Sequence, residues 1–242
     1  MADHTIKYGK TQIQVLYENS YCLVLNKPSG LSAQGGEGIK VSLDFILAEK
    51  IKPRPFLVHR LDRDTSGVIF VAKTKEAAAL FPKAMIVKRY LTLCSGIPHP
   101  SRGVMDFALN RKTSGVRRIA GYKITSAYQE SITTYRLLSS GTVADVLVSL
   151  MELELETGRM HQIRRHLAMK NHPVLGDDKY GDFPLNKSLR KMTALKHLLL
   201  HASTLVIPPL PGLMPDGLEI TAALPQHFTD FTQKCKLKEK GE

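Results

Sequence analysis

The 242-residue chain has few cysteines and no long apolar segment, and each shortage excludes a class of protein. Cys22, Cys94 and Cys235 lie far apart, so they match no metal-binding spacing, and an odd number argues against a disulfide framework. No run of about 18 apolar residues exists, so a membrane span is not expected. The first residues lack the apolar core of a signal peptide. We therefore expect a globular protein of the reducing cytoplasm.

Several well-known catalytic motifs are also missing. The chain has no GxGxxG after a strand, no GxxxxGK[ST] phosphate loop and no GxSxG serine elbow. His161 and His166 lie roughly 140° apart around a helix, so they do not form the paired-histidine site of a zinc protease. We therefore expect no metal, no nucleotide cofactor and no redox cofactor. The reaction should involve no net oxidation or reduction and no coupled energy source.

Acidic residues are the scarcer charge. The chain has 34 Lys and Arg against 22 Asp and Glu, which gives a formal net charge of +12. This excess favours a polyanionic partner, with nucleic acid first and an anionic membrane surface second. Residues 88–123 contain one acid, Asp106. A run of like charges can be a solvated face of the protein. The Gly and Ser within this run favour instead a mobile basic hairpin or loop that follows a nucleic-acid backbone. The basic residues of the run are Lys88, Arg89, Arg102, Arg111, Lys112, Arg117, Arg118 and Lys123.

The apolar pattern predicts one α+β domain over residues 1–242, built on a largely antiparallel sheet. Residues 13–28 read as a hairpin, and 68–74 as a buried strand. Further strands are predicted at 89–96, 132–140 and 144–155, with a short one near 218–224, and residues 198–207 read as a helix end followed by a strand. Helices are predicted at 41–50, 75–85 with an interruption at Pro82, 160–170 and 226–236.

The helix at 160–170 carries an arginine at an apolar position. At about 100° per residue, Met160, Ile163, Leu167 and Ala168 share one arc, and Arg164 falls inside it. Unless it extends to solvent, a core-facing guanidinium needs an anionic partner. The side chains expected to point away from this arc are Gln162, Arg165, His166 and Met169.

Asp62 is the natural candidate for that anion. It lies between two arginines in "HRLDRDTSG" (59–67), within an apolar context and just before residues that favour a tight turn. A nearby arginine keeps a carboxylate ionised, which suits a nucleophile better than a general acid. The alternative is a surface salt bridge, and Asp64 reads as a turn residue.

At these residues the chain resembles the RluA-type pseudouridine synthases. "HRLDRDTSG" resembles their central motif, and "VLNKPSGLSAQGG" their N-terminal block. "KRYL" (88–91) resembles the block with the active-site tyrosine, and "LETGRMHQIRRHLAMKNHPVLGDDKYGD" followed by "LHAS" resembles the third block. The resemblance covers about residues 13–225. It implies a mixed, mainly antiparallel sheet flanked by helices, a basic RNA-binding cleft, and isomerisation of uridine in RNA without a cofactor.

The resemblance also implies roles for particular residues. Asp62 corresponds to the nucleophile, and Arg164 to the arginine that pairs with it. Tyr90 corresponds to the tyrosine that packs on the base and is a candidate to take the C5 proton. Arg60 corresponds to the arginine that enters the RNA stack when the nucleotide flips out. The other expected substrate contacts are Ile163 on the far side of the base, and His59, Lys88 and Arg89. Arg165 replaces an apolar residue common in many relatives, and its outward position on the helical wheel suggests a phosphate contact.

Two departures from the family and three functional hypotheses follow. Only about a dozen residues precede the first block, so we expect the extra N-terminal RNA-binding domain of many relatives to be absent, and the segment before "KRYL" is short.

The leading hypothesis is a monomeric pseudouridine synthase for ribosomal RNA or tRNA, with "QGG" and "DDKYGDFPLN" leaning towards the large ribosomal subunit. A non-catalytic RNA-binding assembly factor is the alternative. A glycosidic hydrolase would need Glu154 or Glu156 beside Asp62.

Overall fold

The computed structural model describes residues 4–110 and 128–239. The chain divides into two compact units, the first comprising Met1–Lys88 and His201–Pro225 and the second Arg89–Leu200 and Gln226–Glu242. A single domain over residues 1–242 therefore stays a prediction. Most of the basic run that was expected to form a hairpin, residues 111–123, lies outside the described residues.

Helices and strands alternate irregularly along both units, as the α+β prediction requires. The strands are β1 (Thr5–Tyr8), β2 (Thr11–Glu18), β3 (Cys22–Lys27), β4 (Phe56–Leu57), β5 (Ser66–Ala72), β6 (Val87–Ser95), β7 (Arg102–Asp106), β8 (Leu109–Asn110), β9 (Tyr128–Gln129), β10 (Ile132–Val143), β11 (Val146–Leu155), β12 (Leu200–Ile207), β13 (Leu218–Thr221) and β14 (Lys238–Glu239). The helices are α1 (Leu43–Lys50), α2 (Lys75–Leu80), α3 (Gln162–Met169), α4 (Phe183–Thr193) and α5 (Gln226–Lys234). None of the helices in the described residues has the length and hydropathy that a bilayer crossing needs.

The first unit is built on β5, whose seven residues are all buried. Its continuous apolar sequence fits a strand that is covered on both faces. β1, β2, β3 and β5 pair in antiparallel fashion in that order. β12 runs parallel to β5 through His201 opposite Ser66, and β13 is antiparallel to β12. The pairing is thus mixed and mainly antiparallel, which confirms the predicted fold class.

The second unit is an antiparallel sheet with α3 packed against it. β11 lies between β6 and β10, and β10 also pairs with β7 and β14. β8 and β9 pair separately, through Leu109 opposite Gln129 and Asn110 opposite Tyr128. α3 contacts β10, the longest strand of the described residues. This packing places the "QIRRH" sequence against a rigid surface.

Two predictions from the sequence need correction. The helix end predicted at the start of residues 198–207 is absent. Residues 198–199 have no regular secondary structure, and β12 begins at Leu200. α4 was not predicted at all, although Asp182 caps its first turn by accepting a hydrogen bond from the amide of Leu185 (2.9 Å) and Pro184 occupies an early helical position. Both features are typical of a helix N-terminus. The other predicted helices, the hairpin and the buried strand lie where the sequence placed them.

Candidate active site

Asp62 lies in the loop of the first unit that leads into β5. Its side chain is half-buried, and the neighbouring Leu61 is buried. The amide of Thr65 donates to the carbonyl of Asp62 (3.2 Å), which closes the expected turn. The turn fixes the backbone on the C-terminal side of the carboxylate. Asp64 acts as a surface partner of Arg63, with a shortest separation of 3.0 Å.

The turn at residues 27–30 holds this loop from the other side. The amide of Gly30 donates to the carbonyl of Arg63 (2.9 Å), and the Lys27 ammonium donates to the same oxygen (3.1 Å). The hydroxyl of Ser29 donates to the carbonyl of Asp64 (2.9 Å). The "NKPSG" sequence therefore binds the two carbonyls that directly follow Asp62. These bonds go to the backbone, so they position Asp62 through its main chain.

Lys27 is fully buried at the centre of this arrangement. Its ammonium also donates to the carbonyls of Leu31 (2.7 Å) and Pro28 (3.0 Å). Burial lowers the pKa of Lys27 to about 7, while the charges of Asp62 and Asp64 act in the opposite direction and raise it. A lysine with three carbonyl partners has used all its donors. Lys27 is thus a buried structural residue beneath the loop.

β5 and β12 approach very closely behind the loop. Gly67 has a φ of +113°, and a Cβ at this position would lie 2.1 Å from the carbonyl oxygen of Ala202, so only glycine fits. The Ser66 hydroxyl lies 2.8 Å from Nδ1 of His201, whose Nε2 lies 3.2 Å from the carbonyl of Ala222. A carbonyl only accepts, so Nε2 carries the proton and Nδ1 accepts from Ser66. Burial lowers the pKa of His201, which favours this neutral form.

His59 and Arg60 precede Asp62 and have different surroundings. Nε2 of His59 accepts a hydrogen bond from the amide of Phe70 (3.0 Å), and its ring stacks on Phe81 at 5.4 Å. Burial lowers the pKa of His59 to about 3, so the ring is neutral. Arg60 is exposed and donates to the side chain of Gln34 (3.2 Å). His59 anchors the loop to β5, and the substrate contacts expected of both residues stay predictions.

The "KRY" residues lie at the start of β6. Lys88 is half-buried, and burial lowers its pKa. Tyr90 is buried and lies opposite Leu153 of β11. Arg89 projects from the other face, since neighbouring strand residues alternate, and its Nε lies 3.4 Å from the carboxylate of Glu154. Glu154, one of the two acids that the hydrolase hypothesis could use as a second catalytic carboxylate, thus has a basic partner on the adjacent strand.

Arg164 forms a bidentate ion pair inside the second unit. Its Nε donates to Oδ2 of Asp177 (2.8 Å) and its Nη2 to Oδ1 (2.7 Å), with both side chains buried. The guanidinium also lies 5.2 Å from the ring centre of Tyr180 and 3.5 Å from the carboxylate of Asp178. Burial alone would raise the pKa of Asp177, but Arg164 and the amides of Tyr180 and Lys179 lower it below its usual value.

The prediction that Arg164 requires an anion is therefore confirmed, but Asp177 was not identified from the sequence. The signal available was the pair of acids in "LGDDKYGD", which follows α3. Pairing between Arg164 and Asp62 stays a prediction, because the two residues belong to different units. A guanidinium has five donors, so binding to Asp177 does not exhaust its capacity for a second anion.

The helical wheel of α3 was wrong about which side chains are buried. Arg165, predicted to point outward, is only 2% exposed, and its Nη1 donates to the carbonyl of Asn110 (3.3 Å). Met160, predicted to face the core, is 53% exposed. Ile163 is buried, as predicted. The other residues that were expected to point away but are buried are Gln162, His166 and Met169.

Polar contacts explain how α3 can be buried on both sides. The side-chain Nε2 of Gln162 donates to the carbonyl of Ile132 and to the hydroxyl of Thr133, both at 2.9 Å. His166 places Nδ1 3.0 Å from the Thr133 hydroxyl and Nε2 3.1 Å from the carbonyl of Phe107. Burial lowers the pKa of His166 to about 4. This neutral network fixes the helix that carries Arg164 onto β10.

Comparison with known proteins agrees with this arrangement. The family model for RNA pseudouridylate synthases matches residues 21–169, which include Asp62, Tyr90 and Arg164. The chain is 34% identical over 245 residues to the ribosomal large subunit pseudouridine synthase C of Rickettsia felis, covering 96% of this chain and 75% of that protein. It is 33% identical to the tRNA pseudouridine synthase C of Vibrio parahaemolyticus, covering 80% of this chain and 84% of that protein.

A solved structure gives the same result. Human RNA pseudouridylate synthase domain containing 4 superposes with a TM-score of 0.74 at 29% identity, covering 94% of each chain. These comparisons identify the chain as an isomerase that acts on RNA. The chain belongs to the RNA pseudouridylate synthase family, which confirms the resemblance to the RluA-type enzymes.

Proposed function

We propose that this enzyme isomerises specific uridines to pseudouridine in ribosomal RNA, with the large subunit favoured, or in tRNA. Relatives named for each of these two RNAs match most of the chain. The observation that carries the proposal is the loop of Asp62, whose backbone is bound on both sides while the carboxylate remains half-buried. Such a preorganised group suits chemistry on a bound base.

The reaction needs a nucleophile but no oxidant and no energy source. The N1–C1′ bond of uridine breaks, the base turns, and a C5–C1′ bond forms. The C5 proton leaves and N1 takes up a proton, so the overall change is an isomerisation. Asp62 is proposed to supply the carboxylate that promotes cleavage of the N1–C1′ bond, either at C1′ or at the base.

The surrounding residues are proposed to bind and orient the flipped nucleotide. Arg164 is held by Asp177, and we propose that it also pairs with the catalytic carboxylate during the reaction. Tyr90 and Ile163 pack on the base, and Tyr90 is the candidate for accepting the C5 proton. Arg60 is exposed, which agrees with its proposed entry into the RNA stack.

The remaining basic residues are proposed to bind the RNA backbone. Lys88 and Arg89 would contact phosphates through the start of β6. The burial of Arg165 and its bond to Asn110 favour a positioning role for this arginine. His59 would support the same site through its bond to β5. The enzyme is proposed to act as a monomer in the cytoplasm, which light scattering and cell fractionation would test.

RNA labelled with tritium at uridine C5 tests the proposed reaction. Transcripts of large-subunit ribosomal RNA and of tRNA are incubated with the enzyme, and the released tritium is counted. Release from either RNA, with pseudouridine found at the site, supports the proposal and identifies the substrate class. Tight binding without release from either transcript would favour the assembly-factor hypothesis. Release of free base would instead favour the hydrolase.

A further inference from the structure

The segment that contains α4 is entirely free of acidic residues. Residues 183–200, which belong to the second unit, contain no Asp or Glu but carry Lys187, Arg190, Lys191 and Lys196. All four side chains are exposed. This part of the second unit is thus strongly positive, and the reaction at Asp62 does not account for it.

The spacing of these residues concentrates their charge. Lys187, Arg190 and Lys191 follow an i, i+3, i+4 pattern, which places them on one face of α4. The opposite face is buried through Asn186 and Leu189. Like charges at this spacing repel and weaken a helix. Arg190 and Lys191 also lie in the last turn, where the helix dipole favours them, but Lys187 gains no such benefit.

A polar cavity of about 230 Å³ lies where α4 ends. Its polar lining comprises Thr193 of α4, Lys196 and His197 after that helix, and His227, Asp230 and Lys234 on α5, while Leu195, Leu199 and Phe231 form its apolar part. All of these residues belong to the second unit. Lys196 therefore connects the cavity with the end of α4, and the cavity adds two imidazoles, the Lys234 ammonium and the Asp230 carboxylate.

The cavity is organised in a way that suits an oxyanion. The rings of His197 and His227 lie 4.5 Å apart at an angle of 40°. The Lys234 ammonium donates to the carbonyl of Thr193 (2.7 Å), and an ammonium has three donors, so it can bind an anion as well. The one carboxylate, Asp230, accepts a hydrogen bond from Gln226 (2.6 Å). Lys196 and Lys234 belong to the class of donors that bind phosphate oxygens of nucleic acids.

We propose that the basic face of α4 and this cavity form a second RNA-binding surface, which holds the phosphate backbone of the substrate RNA in addition to the residues around Asp62. The inference rests on the proposed function, because it takes the same RNA as its ligand. Phosphate contacts fix register and orientation but do not read sequence. The surface would thus select RNA by its shape, which is how most structured RNA is distinguished.

An anionic membrane is the competing partner for a basic helix. Two large apolar residues on α4 are exposed, Phe183 by 56% and Met192 by 60%. They are nine positions apart, about 180° around the helix, so they do not form one apolar face. A helix that lies on a membrane needs such a face. The charge pattern and the polar cavity therefore favour RNA.

Removal of three charges from this surface tests the inference. The triple variant Lys187→Ala/Arg190→Ala/Lys196→Ala is compared with wild type for binding to the same tRNA and ribosomal RNA transcripts between 50 and 200 mM salt. We expect at least about tenfold weaker binding, and a slope of log affinity against log salt that is smaller by about 2. The kcat at saturating RNA should stay unchanged, because none of the three residues acts on the base.

A matched control removes the same charge from the first unit. Lys10→Ala/Lys50→Ala/Lys52→Ala also removes three exposed lysines, one of which, Lys52, donates to a helix carbonyl (2.6 Å) as Lys234 does. We expect less than half the effect on affinity and slope. Equal effects in the two triple variants, at equal thermal stability, would overturn the inference, since net charge alone would then explain the binding. Loss of binding to phosphatidylserine vesicles with unchanged RNA affinity would also overturn it.

The two proposals fail separately in this experiment. If wild type releases no tritium from either RNA but the α4 variant still binds RNA more weakly than the control, the proposed reaction fails and the binding surface stands. If the enzyme forms pseudouridine and the two triple variants behave alike, only the second surface fails.

Discussion

The loop of Asp62 and the helix of Arg164 show two different ways to hold a charged side chain. Around Asp62, the Lys27 ammonium and the Gly30 amide bind the carbonyl of Arg63, so the protein fixes the backbone. Around Arg164, the carboxylate of Asp177 binds the guanidinium itself. The first arrangement holds the residue through its main chain, while the second neutralises the charged group itself in a buried place.

This difference suits the proposed roles of the two residues. A nucleophile must keep its reactive atoms accessible, so it is best positioned through its neighbours. A buried cation must be compensated, because an unpaired charge in the interior is very costly. We therefore expect changes near Arg164 to affect stability most, and changes near Asp62 to separate stability from activity.

The largest loss of stability is expected when the buried ion pair is broken. Asp177→Ala leaves the Arg164 guanidinium buried beside Tyr180 and should lower the free energy of unfolding by about 3–5 kcal/mol. Urea denaturation measures this change. The double variant Arg164→Met/Asp177→Ala should lose less than the sum of the two single variants. Additive losses would show that the pair contributes no interaction energy.

A smaller loss is expected where β5 meets β12. Gly67→Ala would put a Cβ against the carbonyl of Ala202 and should cost about 3 kcal/mol in unfolding free energy. Gly30→Ala is the control, because Gly30 also has a positive φ but has open space around its Cβ position. It should cost about 1 kcal/mol from backbone strain alone. Similar costs at the two positions would contradict the close approach of the strands.

Lys27→Met should cost about 1–3 kcal/mol at pH 7, because carbonyls of the loop lose their donor. The pH dependence gives a sharper test. The folded pKa of Lys27, about 7, lies below the unfolded value, so the unfolded chain holds more protons between about pH 7 and 10.5. Wild-type stability therefore gains from Lys27 as pH rises through this range, and the difference from Lys27→Met should grow. A constant difference from pH 7 to 9.5 would contradict the lowered pKa of Lys27 in the folded state.

Arg60→Ala should have the smallest effect on stability and a clear effect on activity. The side chain is exposed, so unfolding free energy should change by less than about 0.5 kcal/mol. Loss of its proposed role in flipping the nucleotide should lower kcat/KM at least about tenfold. Arg63→Ala removes the same charge from the same loop and should lower kcat/KM much less. Equal activity losses would assign the effect to charge alone.

The sequence predicted the local structure around Asp62 better than the contacts that support it. The turn at 27–30 and the turn after Asp62 were both expected, because Gly, Pro, Ser and Asp favour such conformations. The hydrogen bonds between the two turns could not be inferred from the sequence. They join residues more than 30 positions apart and depend on how β3 pairs with β5. Lys27 likewise reads as an ordinary surface lysine until its burial is known.

The helix α3 was predicted well in extent but not in burial. A helical wheel assumes one buried face, whereas Gln162 and His166 are buried on the other side because β10 offers partners for their polar atoms. Arg164 was identified because an arginine on an apolar arc needs an anion. Asp177 was not, because no local rule connects it with a helix thirteen residues earlier.

The most direct test of the central claim replaces the Asp62 carboxylate by an amide of the same shape. Asp62→Asn is compared with wild type for tritium release from C5-labelled ribosomal RNA and tRNA, with RNA affinity and thermal stability measured on the same preparations. We predict that release from the substrate RNA is abolished while affinity and stability remain close to wild type. Release at the wild-type rate by Asp62→Asn would contradict the assignment of Asp62 as the essential carboxylate.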